Sequence, residues 1–312
     1  MSQNDPYLLD YEQEAQDFAK ERQDFVNEVL ALLLLLRKKN VTTLRESQPY
    51  LVQLNQLAKK YNDSAKTWMN MHLSNIAKDG VVAGLVSMGK ADRPSSLEEL
   101  IKAREEVRLK KNSQAILRSS VQEMYNQVLD TTDSVIRRAR QAIHQSIADT
   151  LTNTTDNPLT RFSNIDQAIV DARGRVWSMH DYSIMLARTV MMKVNQQATT
   201  LAGIDNGTGL AMISTAPNTT DACKYFQGTV IKLSEDTPGD YPTFDQLQSA
   251  KLVFHPNCRH RALPISGLDA LTAEQLAYQK EQKETIDFVL STGSRDSHYI
   301  DKLLFAEKLK NK

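Results

Sequence analysis

No glycine precedes Gly80 in this chain of 312 residues, and none lies between Gly89 and Gly174, while most of the others follow Gly174. Glycine supplies left-handed turns and weakens helix interiors. The two stretches that lack it are read as helical, and the glycine-bearing second half as turns, short strands and shorter helices. From Leu8 the apolar residues Leu8, Tyr11, Ala15, Phe18, Phe25, Val29, Leu32 and Leu36 recur in steps of three and four, with Arg22 the single break. That alternation is a coiled-coil-like seam. Pro6 at its start, acids in its first turns, and Arg37, Lys38 and Lys39 at its end suit the helix macrodipole.

The spacing predicts a second helix over 43–61, a third over 65–77, and a hinge or loop from Gly80 to Ser96. Ser96 and Glu99 form a capping-box pattern that opens a helix to Leu109. A longer one is expected over 113–151, stopped by the run Asn153 to Pro158. Beyond it come a helix over 181–197, strands over 210–215 and 229–233, a proline-bearing loop at Pro238 and Pro242, and a helix from Thr272 to Leu290. The fold class is therefore a mainly α N-terminal region of long helices, then a small α+β domain, then C-terminal helices. The expected segments are a helical arm or bundle over 1–160, the α+β domain over 161–267 and a helical tail over 268–312.

Charge excludes some functions. Lys and Arg number 38 and so do Asp and Glu, so no global field draws the chain to nucleic acid or anionic lipid. The cluster Arg137, Arg138 and Arg140 leaves room only for a weak, nonspecific DNA contact. The apolar run Val29 to Leu36 is far short of the roughly 20 residues that span a bilayer, and acids rather than a basic segment precede it. We expect an unprocessed, soluble protein with no membrane partner. Two cysteines build no disulfide framework in a chain this long, which favours a reducing compartment.

Those cysteines sit in the densest chemical grouping: Cys223, and then His255, Cys258 and His260 within the run from His255 to His260. Cys258 and His260, two apart on an extended segment, can face one side, and Cys223 folded back onto them would give zinc three ligands, with His255 or Asp221 as the fourth. The plainer reading has both cysteines as small buried hydrophobes, with the histidines bonded to loop carbonyls. A cysteine nucleophile activated by His255 or His260 is a third reading, although Cys258 lies between Pro256 and Pro264 rather than opening a helix.

Asp171, Gly174, Arg175, Trp177, Tyr182, Met185, Arg188 and Thr189 follow a D-x-x-G-R-x-W…Y-x-x-M…R-T pattern. Asp221, Cys223, Gln227, Gly228, Tyr241, Pro242 and the His255 to His260 run follow D-x-C…Q-G…Y-P…H-P-N-C-R. Together these blocks, over roughly residues 165 to 266, resemble phage minor capsid proteins and the phage Mu F-like head morphogenesis family. Thr220 stands where family members often have a first cysteine, and His260 where many have a last one. The resemblance implies a few-copy virion component at the portal vertex, made in the host cytoplasm, that acts by protein–protein contact rather than turnover. Its implied partners are the portal protein and a major capsid or scaffold protein, with homo-oligomerisation through the N-terminal seam. It brings the Cys223, His255, Cys258 and His260 motifs together as a zinc set, and makes the other motif residues structural. Arg188 is expected to reach Asp171 or Asp221. The rivals are a hydrolase or nuclease-like activity at the Cys/His cluster and a DNA-contacting ejection protein.

Overall fold

The computed structural model describes residues 6–152, 165, 169–170, 174–216, 219–255 and 258–310. The expected helix stop at 153–158 and the motif residue Asp171 lie outside the described residues. Four helices come first: α1 Pro6–Lys38, α2 Leu44–Ser87, α3 Leu97–Glu106 and α4 Lys111–Thr152. A two-stranded hairpin follows, β1 Ile169–Val170 antiparallel to β2 Val176–Trp177. Then come α5 Met179–Asp205, β3 Leu210–Ile213, a 3-10 turn at Ala222–Tyr225, β4 Val230–Lys232, α6 Phe244–Ser249 and β5 Ala262–Ile265. The described chain closes with α7 Ala273–Thr292 and α8 Ser297–Lys310. The fold class is the expected one: long N-terminal helices, a small sheet-bearing region, C-terminal helices.

Compactness divides the chain differently from chain order. One unit comprises Asp10–Ser74 and Arg118–Val190, and the other Met1–Leu9, Asn75–Leu117 and Met191–Lys312, where the expected segments break at 160 and 267.

In the helical unit, Phe25, Val29, Leu32 and Leu36 of the seam are buried in one core with Leu54 and Tyr61 of α2 and with Val135, Ala139 and Ile143 of α4. Phe18 meets Trp68 of α2 at 4.6 Å between ring centres, the planes tilted by 41°. The seam is thus an internal packing surface. Those apolar residues meet α2 and α4 of the same chain. Arg22, the break in the stripe, is also buried; it donates to Thr132 Oγ1 at 2.5 Å and to the Tyr61 carbonyl at 3.4 Å, with its guanidinium 5.4 Å from the Phe25 ring centre. Thr132 passes the bond on to Asn62 Oδ1 at 2.8 Å. Burial lowers the Arg22 pKa to about 10, against the opposing pull of Glu21 and Tyr61.

The second unit corrects the first half of the hinge or loop expected from Gly80 to Ser96, whereas Met88 to Ser96 is the expected loop. α2 is one helix that runs through Gly80 and Gly84 to Ser87, where two helices over 43–61 and 65–77 were expected. A Cβ built on Gly80 would stand 2.3 Å from the Asn195 carbonyl oxygen and 2.8 Å from Ala198 Cβ, and one on Gly84 would stand 2.8 Å from Ala202 Cβ. The two glycines, four apart on one face, let α2 lie directly against α5. Asp79, fully buried one residue before, takes a two-pronged ion pair from Arg104 of α3 at 2.5 and 2.8 Å. The sheet of this unit has the order β4-β3-β5, antiparallel throughout, with Ala211 opposite Ile231 on one side and Pro264 on the other. Its core joins Ala211, Ile213 and Ile231 to Phe226, Cys223, Cys258, Val289 and Ile300.

Gly80→Ala tests the close approach of α2 to α5. Alanine is the better helix former by about 1 kcal/mol, but overpacking typically costs about 1–3 kcal/mol. A net loss is expected, read as a lower urea midpoint, and a midpoint at or above that of wild type would show that the two helices are not so tightly joined.

Candidate metal centre

A short turn positions the first cysteine. Asp221 caps the 3-10 turn, its Oδ1 accepting from the Cys223 amide at 3.1 Å, so that Cys223 points into the core. Its sulfur lies 3.2 Å from the Leu252 carbonyl, 3.1 Å from His255 Nε2 and 3.8 Å from Cys258 Sγ. Cys258 Sγ in turn lies 3.4 Å from His260 Nδ1. Cys223, Cys258 and His260 are all buried, and His260 Nε2 has no hydrogen-bond partner among the described residues.

The donor atoms form two overlapping triads. Those of Cys223, Cys258 and His260 lie within 4.8 Å of one another, and so do those of Asp221, Cys223 and His255; Cys223 belongs to both. His255 leans toward Asp221, whose Oδ2 is 2.9 Å from His255 Nε2 and 3.2 Å from Arg295. Two thiolates on one tetrahedral zinc stand about 3.8 Å apart, and a thiolate and an imidazole nitrogen about 3.6 Å, given Zn–S near 2.3 Å and Zn–N near 2.05 Å. The observed 3.8 Å and 3.4 Å edges fit such an ion; the 3.1 Å contact of His255 is tighter than an edge of that tetrahedron.

Protonation favours the same chemistry. The hydrogen bond from Cys223 is the main cause that brings the Cys258 thiol down to about 4, with burial opposing it and His260 assisting. Cys223 is pushed up by that same contact and by burial. The contact thus favours one thiolate between the two sulfurs, the form that a metal needs. For Asp221, burial acts upward, but hydrogen bonds from Cys223 and Arg295 and the charge of His255 outweigh it and hold the carboxyl below its usual range.

His255 is not placed as the middle member of a nucleophile relay. In a Ser-His-Asp type relay the imidazole uses one nitrogen for the nucleophile and the other for the carboxylate. Here His255 Nε2 faces both Cys223 and Asp221.

The remaining motif residues fall into the two units. Trp177 and Tyr182 meet edge to face at 6.5 Å and pack on the core of the helical unit, with the Arg175 guanidinium 5.2 Å over Trp177. Tyr182 reaches Gln127 Oε1 at 3.4 Å, and burial raises its pKa, helped by the charge of Asp130. Gly174 adopts φ +76°, as a tight turn requires. Arg188 pairs through two nitrogens with Glu12 of α1 rather than with Asp221, because α5 presents it to that helix. In the other unit Gln227 bonds Thr219 Oγ1 at 2.7 Å, and Gly228, at φ +72°, gives its carbonyl to Gln279 at 2.7 Å. Arg137 and Arg140 border a groove of about 570 Å³ that Asp130 and Asp133 also line, and both are bonded locally, to Ser134 and to Asn55.

A family model described as phage minor capsid protein 2 matches residues 51–294. The chain belongs to that family of phage capsid proteins. The matched range begins in α2 and runs to the end of α7, so it takes in both of the overlapping triads. No curated protein and no solved structure matches the chain. Among the described residues no helix is long and apolar enough to cross a membrane. The site residues that sequence reasoning missed are Leu252, whose carbonyl meets Cys223, and Arg295, which braces Asp221 from 74 positions away. No local pattern could have signalled either.

Burial of both sulfurs has a direct consequence. A disulfide-exchange thiol reagent such as DTNB should find two thiols in denaturant and react only slowly with either in the native protein. Rapid stoichiometric reaction under native conditions would instead mark an accessible nucleophile and favour the hydrolase reading.

Proposed function

We propose that the protein is a structural component of the phage head, present in a few copies near the portal vertex, that works by binding the portal and a major capsid or scaffold protein. The observation that carries this reading is the capsid-family match over residues 51–294. The site geometry supports a role without turnover, because both cysteines are buried among core side chains and His255 turns one nitrogen to both Cys223 and Asp221. Arg137, Arg138 and Arg140 add no more than a weak hold on DNA that salt would weaken further, since two carboxylates share the groove that Arg137 and Arg140 line.

Within that role the Cys/His cluster is a structural zinc centre held by Cys223, Cys258 and His260, with His255 completing it after a small movement away from Asp221. A closed site with four protein ligands has no open position for water, so it stabilises without catalysing. Its ligands come from segments about 35 residues apart, so binding is coupled to folding.

Co-expression with the neighbouring portal and major capsid proteins tests the role, and purified proheads should contain the chain at low, fixed stoichiometry. A chain left wholly in the soluble fraction while proheads assemble would overturn it. The metal is tested by elemental analysis of protein purified without a histidine tag. One equivalent of zinc is expected, lost in Cys258→Ser and on chelation, with a lower melting temperature. Zinc below about a tenth of an equivalent, with chelator leaving the melting curve untouched, would leave Cys223 and Cys258 as ordinary core residues.

A further inference from the structure

Resting on the zinc reading above, we propose that the metal centre is also the clasp that holds the α7–α8 corner, so that losing the metal releases α8. The turn that carries Cys223 is the same turn on which that corner sits. The Ala222 amide donates to the Arg295 carbonyl at 3.2 Å, and Ser297 Oγ donates to the Thr220 carbonyl at 2.6 Å. Tyr225 OH donates to Asp301 Oδ1 at 2.6 Å, and Lys224 Nζ to Asp301 Oδ2 at 2.7 Å. Asp221 is the shared member, because one of its oxygens receives both His255 of the donor cluster and Arg295 of the corner.

A four-residue 3-10 turn has little stability of its own. What fixes this one from below is the Cys223 side chain, which enters the core beside Cys258, Val289 and Ile300. When His255 ligates the ion it leaves Asp221 to Arg295 and to the Cys223 amide, which concentrates the carboxylate on the corner. When the ion is absent the turn keeps the packing of Ala222, Phe226 and an unligated thiol but loses the bond that fixes Cys223, and its polar contacts with the corner open together more readily. Local opening of this kind, in a segment held by a few partly exposed hydrogen bonds, occurs at lower free energy than global unfolding.

Hydrogen exchange on the full chain, loaded with zinc chloride or stripped with 1,10-phenanthroline, tests the coupling. Amides of residues 293–310 should exchange about tenfold faster or more after stripping. The variant Arg295→Ala/Asp301→Ala breaks the clasp without touching a ligand. It should keep its full zinc content and show fast exchange over 293–310 with or without the metal, while β3 and β5 stay protected. If the double variant does not fold, Arg295→Ala alone should move in the same direction. Stripping that accelerates residues 219–255 and leaves 293–310 unchanged would overturn the clasp while preserving the zinc centre. So would a double variant whose α8 still responds to metal as in wild type, because the coupling would then run through the core. Absence of bound zinc at the outset would fail the zinc reading itself, which elemental analysis reports separately.

Discussion

A single sulfur atom organises the functional end of the sheet-bearing unit. Cys223 Sγ is fully buried and is approached by the Leu252 carbonyl, the His255 imidazole and the Cys258 sulfur, all within 3.8 Å. A thiol carries one proton and donates once. The Leu252 carbonyl and the Cys258 sulfur therefore compete for it, while His255 Nε2 is shared between this sulfur and the Asp221 carboxylate, and a buried polar atom left over is costly. The conflict can be resolved by a proton passed to and fro between sulfurs or by a cation that takes several lone pairs at once.

The helical unit solves a different problem. Its seam residues must be buried, and α2 and α4 supply the covering surface. Arg22 interrupts the stripe and is buried with it, tied by Thr132 and the Tyr61 carbonyl to both neighbouring helices. A cation in such a place costs desolvation energy, which is why its pKa falls, and the return is registry: only one rotation of α1 lets that side chain meet both partners. The break in the periodicity therefore carries as much structural information as the periodicity itself.

Periodicity and capping were legible because both are local. The seam, the Thr272 and Gln275 capping box of α7, and strands β3 and β4 follow from neighbours in sequence. Gly80 and Gly84 were not legible, since a glycine that permits a turn and one that permits a helix to approach look alike until the opposing Asn195, Ala198 and Ala202 are known. β5 escaped notice because Pro264 argues against a strand; in the order β4-β3-β5 it sits on an edge, where proline is tolerated. At the site, the residue types pointed to zinc chemistry, and Cys223 does fold back beside Cys258. The partners that fix the geometry, Leu252, Arg295 and, for Arg188, Glu12, lie 29, 74 and 176 positions from the groups they meet, beyond the reach of any local rule.

Charge decides between the two residues that compete for the fourth position of the proposed centre. Two thiolates balance a divalent ion, so a set of Cys223, Cys258, His260 and His255 is neutral as a whole and can be buried without a large desolvation cost. Asp221 in place of His255 would leave an excess negative charge among side chains of the core. The carboxylate also has less to gain, because Arg295 and the Cys223 amide already satisfy it at the protein surface, where it is about one-third exposed. His255, with its side chain 8% exposed, can exchange the hydrogen bond of Asp221 for a metal bond without moving into water.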